Sequence, residues 1–243
     1  MLRIVCLLVK KVPWYSYMLI SLHLAKTAGS SFFTSLKDYY GNQLLRDYAD
    51  LPMNTPVLKR QSSAVINCAI NGLRRFKGVE CIHGHFLPLK YSLYGVRQDV
   101  RFVTWMRDPA ERLASNYYFW IRNYKPVNAP LLHRRVVEEN WSLERFCLGP
   151  EFRNFYSQIL WGFPFSRFDF IGIAEYYETE LDYFSKEFLR SSLKHYEKNV
   201  NPGKARAPYF EDPNLRRKVE KYHSKDVALY KRALDIRLKT RCT

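Results

Sequence analysis

The chain has no apolar run long enough to cross a bilayer: residues 2–9 are mostly apolar but short, and Lys10, Lys11 and Pro13 follow them. No transmembrane helix is expected, and residues 1–17 read as a leader or irregular segment ahead of the first patterned element. Cysteine is sparse. Cys6, Cys68, Cys81, Cys147 and Cys242 form no CxxC pair and are odd in number. That argues against a zinc site or a complete disulfide framework and fits a reducing, cytoplasmic location. No His/Cys/Asp grouping has ligand spacing, so no metal is expected; His133, His195 and His223 read as surface or helix positions. Repeats, low-complexity tracts and Ser/Gly-rich linkers are also missing, which leaves a single domain over residues 18–243.

Acidic residues are in deficit too, at 23 Asp/Glu against 39 Lys/Arg, for a formal charge of +16. Residues 190–243 hold 15 Lys/Arg and 6 Asp/Glu, hence +9 of that excess. Such a field attracts nucleotides, acidic polysaccharides, nucleic acids or membrane surfaces without choosing among them. Basic residues interleaved with Tyr209, Phe210, Tyr222 and Tyr230 keep open an alternative, a non-enzymatic nucleic-acid or polyanion-binding protein, although no recognised nucleic-acid module is present. A kinase-like enzyme needing Mg²⁺ and ATP is a third reading.

Hydrophobic patterning alternates strand and helix. Strands are expected at 17–23, 79–83, 101–106 and 168–174. Helices are expected from Ser30 or Ser31, over 62–76 with Ala64, Val65, Cys68, Ala69 and Leu73 at helical spacing, over 109–124, over 179–189, and as two basic helices beyond Asp212. Asp108 is the expected cap of the 109–124 helix, with Pro109 at its first position. The order implies an α/β domain with a mainly parallel sheet and helices on both faces. Ligands of such sheets collect at the carboxyl ends of strands.

Three segments fall at those ends. Lys26-Thr27-Ala28-Gly29-Ser30-Ser31 joins a strand to a helix N-terminus, where backbone N–H groups and the helix dipole suit an anion. Lys26 adds a charge, Gly29 permits close approach, and Thr27, Ser30 and Ser31 supply hydroxyls. The GK[ST] ending of a Walker A loop is missing. His83-Gly84-His85 follows the second strand. Arg107 leaves the third, with Ser115 eight residues later; in isolation Arg107 reads as the partner of Asp108 or Glu111.

The segment from His23 to Phe32 resembles the 5′-phosphosulfate loop of sulfotransferases that use 3′-phosphoadenosine 5′-phosphosulfate (PAPS). The segment from Thr104 to Ser115 is similar to their 3′-phosphate segment, and His83-Gly84-His85-Phe86 to the histidine motif of uronosyl 2-O-sulfotransferases. Looser similarity covers 170–175 and Lys198-Asn199-Val200-Asn201, so the resemblance runs from about residue 18 to 235. It implies a P-loop NTPase-like sulfotransferase fold and in-line transfer of a sulfuryl group from PAPS to an acceptor hydroxyl, leaving adenosine 3′,5′-bisphosphate (PAP), with no metal. His85 is the implied base, Lys26 stabilises the leaving phosphate and His83 orients His85 or the acceptor. Lys26, Thr27, Ala28, Gly29, Ser30, Ser31, Arg107, Ser115, Lys198 and Asn199 are the implied cofactor-binding residues. The implied acceptor is a saccharide or another anionic or small-molecule alcohol, with no specific nucleic-acid partner. Golgi members carry a membrane anchor not seen here, so a bacterial or viral relative is expected. Arg134, Arg135, Arg145, Arg153, Trp120, Trp141 and Trp161 line an acidic-sugar cleft or belong to amphipathic helices with snorkelling arginines.

Overall fold

A computed structural model describes residues 17–196, 209–210 and 212–241. Of the expected leader only Tyr17 is described, and Lys198, Asn199, Val200 and Asn201 lie outside the described residues. Five strands, β1 (Met18–Leu22), β2 (Leu44–Asp47), β3 (Cys81–Gly84), β4 (Val100–Met106) and β5 (Phe168–Ile173), form one parallel sheet in the order β2-β3-β1-β4-β5. The helices are α1 (Gly29–Tyr40), α2 (Val57–Leu73), α3 (Tyr94–Arg97), α4 (Pro109–Arg122), α5 (Leu131–Glu138), α6 (Leu143–Cys147), α7 (Phe155–Ile159), α8 (Tyr177–Phe184), α9 (Pro213–Tyr222) and α10 (Ser224–Arg241). The chain is therefore a single α/β domain, as the alternating pattern implies.

All five residues of β1 are buried, as a central parallel strand covered on both faces requires. Side chains alternate between two cores. Met18, Ile20 and Leu22 join Phe102 and Met106 of β4 beneath α2, α7 and α10, while Leu19, Val103, Trp105 and Phe170 pack under α1 and α8. A third cluster gathers α4, α5, α6 and α9 around Trp141 and Phe146.

Several expected boundaries shift. α2 begins at Val57 rather than Ser62, and it buries Ala64 and Cys68 while exposing Val65 and Leu73. The helix expected over 179–189 starts at Tyr177 and passes into a π turn at Ser185–Leu189. β2 has no counterpart in the sequence reading. Cys68, Cys81 and Cys147 are free and buried, and among the described residues no helix is long and apolar enough to cross a membrane.

Candidate functional site

β1 lies between β3 and β4: the chain leaves β1 for β2 on one side of it and later crosses from β3 to β4 on the other, and this reversal opens a crevice at the carboxyl end of β1. Leu22 is level with Gly84 on one side and Thr104 on the other, and β4 runs two residues further to Met106. The residues immediately after these three strands are His23, His85 and Arg107. Strand register alone thus brings the three expected segments to one edge.

The loop after β1 carries its strain on non-glycine residues: Lys26 has φ 68° and Ala28 φ 64°. Such left-handed backbone costs about 1–3 kcal/mol per residue and persists where the surroundings enforce it. Ala28 precedes α1 without a side-chain cap, and the Ser31 and Phe32 N–H groups both donate to its carbonyl. Among the described residues, the Gly29 and Ser30 N–H groups are left without an acceptor. Gly29 is required by its neighbour rather than by φ: an added Cβ would lie 1.9 Å from His23 Cδ2. Thr27 is fully buried and donates its hydroxyl to the Leu24 carbonyl at 2.8 Å, so that hydroxyl closes the turn. Ser30 is half-buried and its carbonyl accepts the Thr34 hydroxyl, while Ser31 is buried in the first turn.

Lys26 Nζ sits 3.9 Å from the Phe119 ring centroid. Burial, and then repulsion from Arg107 and Arg122, lower its pKa to about 8. Three cations therefore converge. Among the described residues neither Lys26 nor Arg107 is in an ion pair, because Asp108 and Glu111, the expected partners of Arg107, are taken by Arg216 at 2.8 and 3.3 Å. The backbone of Arg107 is held instead by the Tyr156 hydroxyl, which accepts its N–H at 3.1 Å and donates to its carbonyl at 2.7 Å. Asp108 caps α4 by accepting the Glu111 N–H, with Pro109 at the first position as expected. Its own N–H donates to Glu175, just beyond β5. Ser115 is buried on the second turn of α4.

The histidines form a layered group that includes one residue not singled out in the sequence. His85 Nδ1 bonds the His23 carbonyl and must donate to it, which leaves the lone pair on Nε2. The His85 side chain reaches solvent, and its pKa is lowered by desolvation against the opposing effect of that bond. The His23 ring stacks on His85 at 4.2 Å and lies 5.2 Å from His83, and its Nδ1 bonds the Tyr48 hydroxyl at 3.0 Å. Burial, with the nearby His85, His83 and Lys26, depresses its pKa to about 2. His23 therefore lies close to both the histidine motif and the lysine of the loop. His83 is fully buried within β3, bonds the Ser21 hydroxyl at 2.9 Å, and has its pKa depressed to about 3 by burial. Its Nε2 meets no partner among the described residues. Gly84 lets β2 pass, since a Cβ there would lie 1.6 Å from the Asp47 carbonyl oxygen.

The group thus holds Lys26, Gly29, His83, His85 and Arg107, together with His23, Tyr48 and Phe119. His23 was detectable as the residue closing β1 six positions before a glycine; Tyr48 and Phe119 are distant in sequence and gave no signal. The proposed sugar cleft dissolves in part: Trp141 is core, and Arg145 and Arg135 lie over its ring at 4.2 and 5.4 Å while pairing with Glu139. His223 is no surface residue. It is fully buried, accepts the Asn154 N–H at Nδ1 and donates from Nε2 to the Cys147 carbonyl. Among the described residues no cluster of three or more His, Cys, Asp or Glu is placed to hold a metal. No protein-family model matches the chain, and no curated protein matches it.

Proposed function

We propose that the chain is a PAPS-dependent O-sulfotransferase that transfers a sulfuryl group to an acceptor hydroxyl, with a saccharide as the favoured acceptor class. The observation that carries this reading is the meeting of an uncapped helix N-terminus with Lys26 and Arg107, neither paired to a carboxylate among the described residues, beside an imidazole with its lone pair on Nε2. Mutual repulsion of half-buried cations is tolerable where an anion completes the site. Those residues fit a phosphorylated ligand: the Gly29 and Ser30 N–H groups and Lys26 suit one anionic group, and Arg107, with Ser115 further along α4, a second.

When bound, PAPS supplies the sulfuryl group and departs as PAP. His85 Nε2 takes the proton of the acceptor hydroxyl as the new oxygen–sulfur bond forms, and Lys26 balances the negative charge on the departing phosphate. His83 and His23, held neutral, give His85 a fixed, low-charge backing. Positioning and charge stabilisation carry most of the catalysis.

The test is transfer of labelled sulfate from PAPS to a panel of hydroxylated acceptors. Transfer by the wild type that is lost in His85→Ala and Lys26→Ala supports the enzyme. Salt-sensitive DNA or RNA binding that survives both substitutions, without transfer, supports the polyanion-binding alternative instead.

A further inference from the structure

α2 turns an apolar face to solvent. Leu58, Val65, Ile66, Ile70 and Leu73 are 78, 51, 60, 55 and 79% exposed. Scattered apolar exposure is ordinary on a protein surface, but a contiguous stripe is not. From Gln61 through Leu73, thirteen consecutive residues carry no charge, in a chain with 39 Lys/Arg and 23 Asp/Glu. The opposite side of the helix, through Ala64 and Cys68, is already buried in the domain. At one end the stripe meets Trp161, which shares a groove of about 320 Å³ with Leu58, Val65 and Ile66; at the other, Gly72 lies against Leu93. Together these side chains expose on the order of 800 Å², which is what each partner of a standard interface buries.

We propose that this face of α2 is the interface of a two-fold homodimer. Most of the pattern is symmetric about the Val65–Ile66 junction: Leu58 and Leu73 lie equally far from it, and so do the small, exposed residues Ser62 and Ala69, while Ile70 has Gln61 as its counterpart. Two antiparallel copies crossing at that point set Leu58 level with the partner's Leu73, Ser62 with the partner's Ala69 and Val65 with the partner's Ile66. The small residues leave gaps into which the large ones pack. Charge selects the same occupant. With a formal charge of +16, two copies repel over most of their surface, and the uncharged length from Gln61 to Leu73 is where they can meet; Lys59, exposed near the start of α2, falls level with the partner's Gly72 rather than with a second lysine. The proposal is independent of the enzymatic reading.

Light scattering on a sizing column measures the mass of the full chain directly. The wild type is expected at twice the 29.0 kDa chain mass, and Ile66→Glu and Ser62→Arg at the single-chain mass with unchanged circular dichroism. If Ile66→Glu does not fold, Ser62→Arg, which alters only an exposed position, decides. A wild type that stays monomeric at its highest soluble concentration overturns the proposal, and so do variants that remain dimeric. Sedimentation of the wild type with phosphatidylserine-containing vesicles, lost in Ile66→Glu, assigns the face to lipid and overturns it as well.

Discussion

His85 is exposed to solvent at the end of β3, yet its Nδ1–H is committed to the His23 carbonyl, so one tautomer presents Nε2 outward. Desolvation lowers its pKa from the ordinary 6.5. A base works deprotonated, so activity falls only as pH drops through that lowered value. The acid limb of kcat/KM against pH is expected below 6.5, and a limb at or above 6.5 contradicts the assignment. Gly29→Ala tests the link between loop and base. Its Cβ would overlap the His23 ring at 1.9 Å, and the variant is expected to lose about 1–3 kcal/mol of stability in denaturant titration, with a matching fall in sulfuryl transfer. At this scale the placement of Lys26, His85 and Arg107 beyond the ends of β1, β3 and β4 was legible, because each follows a buried apolar run. The Thr27 hydroxyl was misread as available, since spacing does not reveal which hydroxyls a turn consumes.

Among the elements, α4 does most to place the site, because Asp108 is both its cap and an acceptor for Arg216 of α9. Asp108→Ala removes the cap and leaves Arg216 with Glu111 and Glu220, so a loss of about 2 kcal/mol is expected in urea unfolding. A loss below about 0.5 kcal/mol would show that the cap does not hold the helix. The cap was readable from Asp108-Pro109, as were β1, β4 and β5 from their buried apolar runs. β2 was not, because four residues at a sheet edge, of which only Asp47 is buried, leave little periodic signal. α2 was found but its inward face could not be told from sequence. Both of its sides carry apolar residues, which is the pattern expected if both are covered.

At the scale of the whole molecule, two fully buried histidines make the fold acid-sensitive. His83 and His223 have pKa values depressed to about 3 and about 4, against 6.5 unfolded. Below 6.5 the unfolded chain takes up protons that the folded chain refuses. Stability is therefore full above pH 6.5 and declines as pH falls toward 4, by up to about 1.4 kcal/mol per pH unit for each histidine. Chemical denaturation between pH 7 and 5 should show this decline, and it should shrink in His223→Gln once the cost of the substitution at pH 7 is subtracted. The parallel sheet was legible as a class because strands and helices alternate. The strand order that opens the crevice beside β1 was not, since it depends on long-range pairing. A PAPS-dependent enzyme needs that crevice to be a nucleotide site, and calorimetry with PAP in metal-free buffer tests it most directly. Micromolar binding to the wild type, weakened about 10- to 100-fold or more in both Lys26→Ala and Arg107→Ala, is the predicted result. A folded wild type that binds no PAP contradicts it.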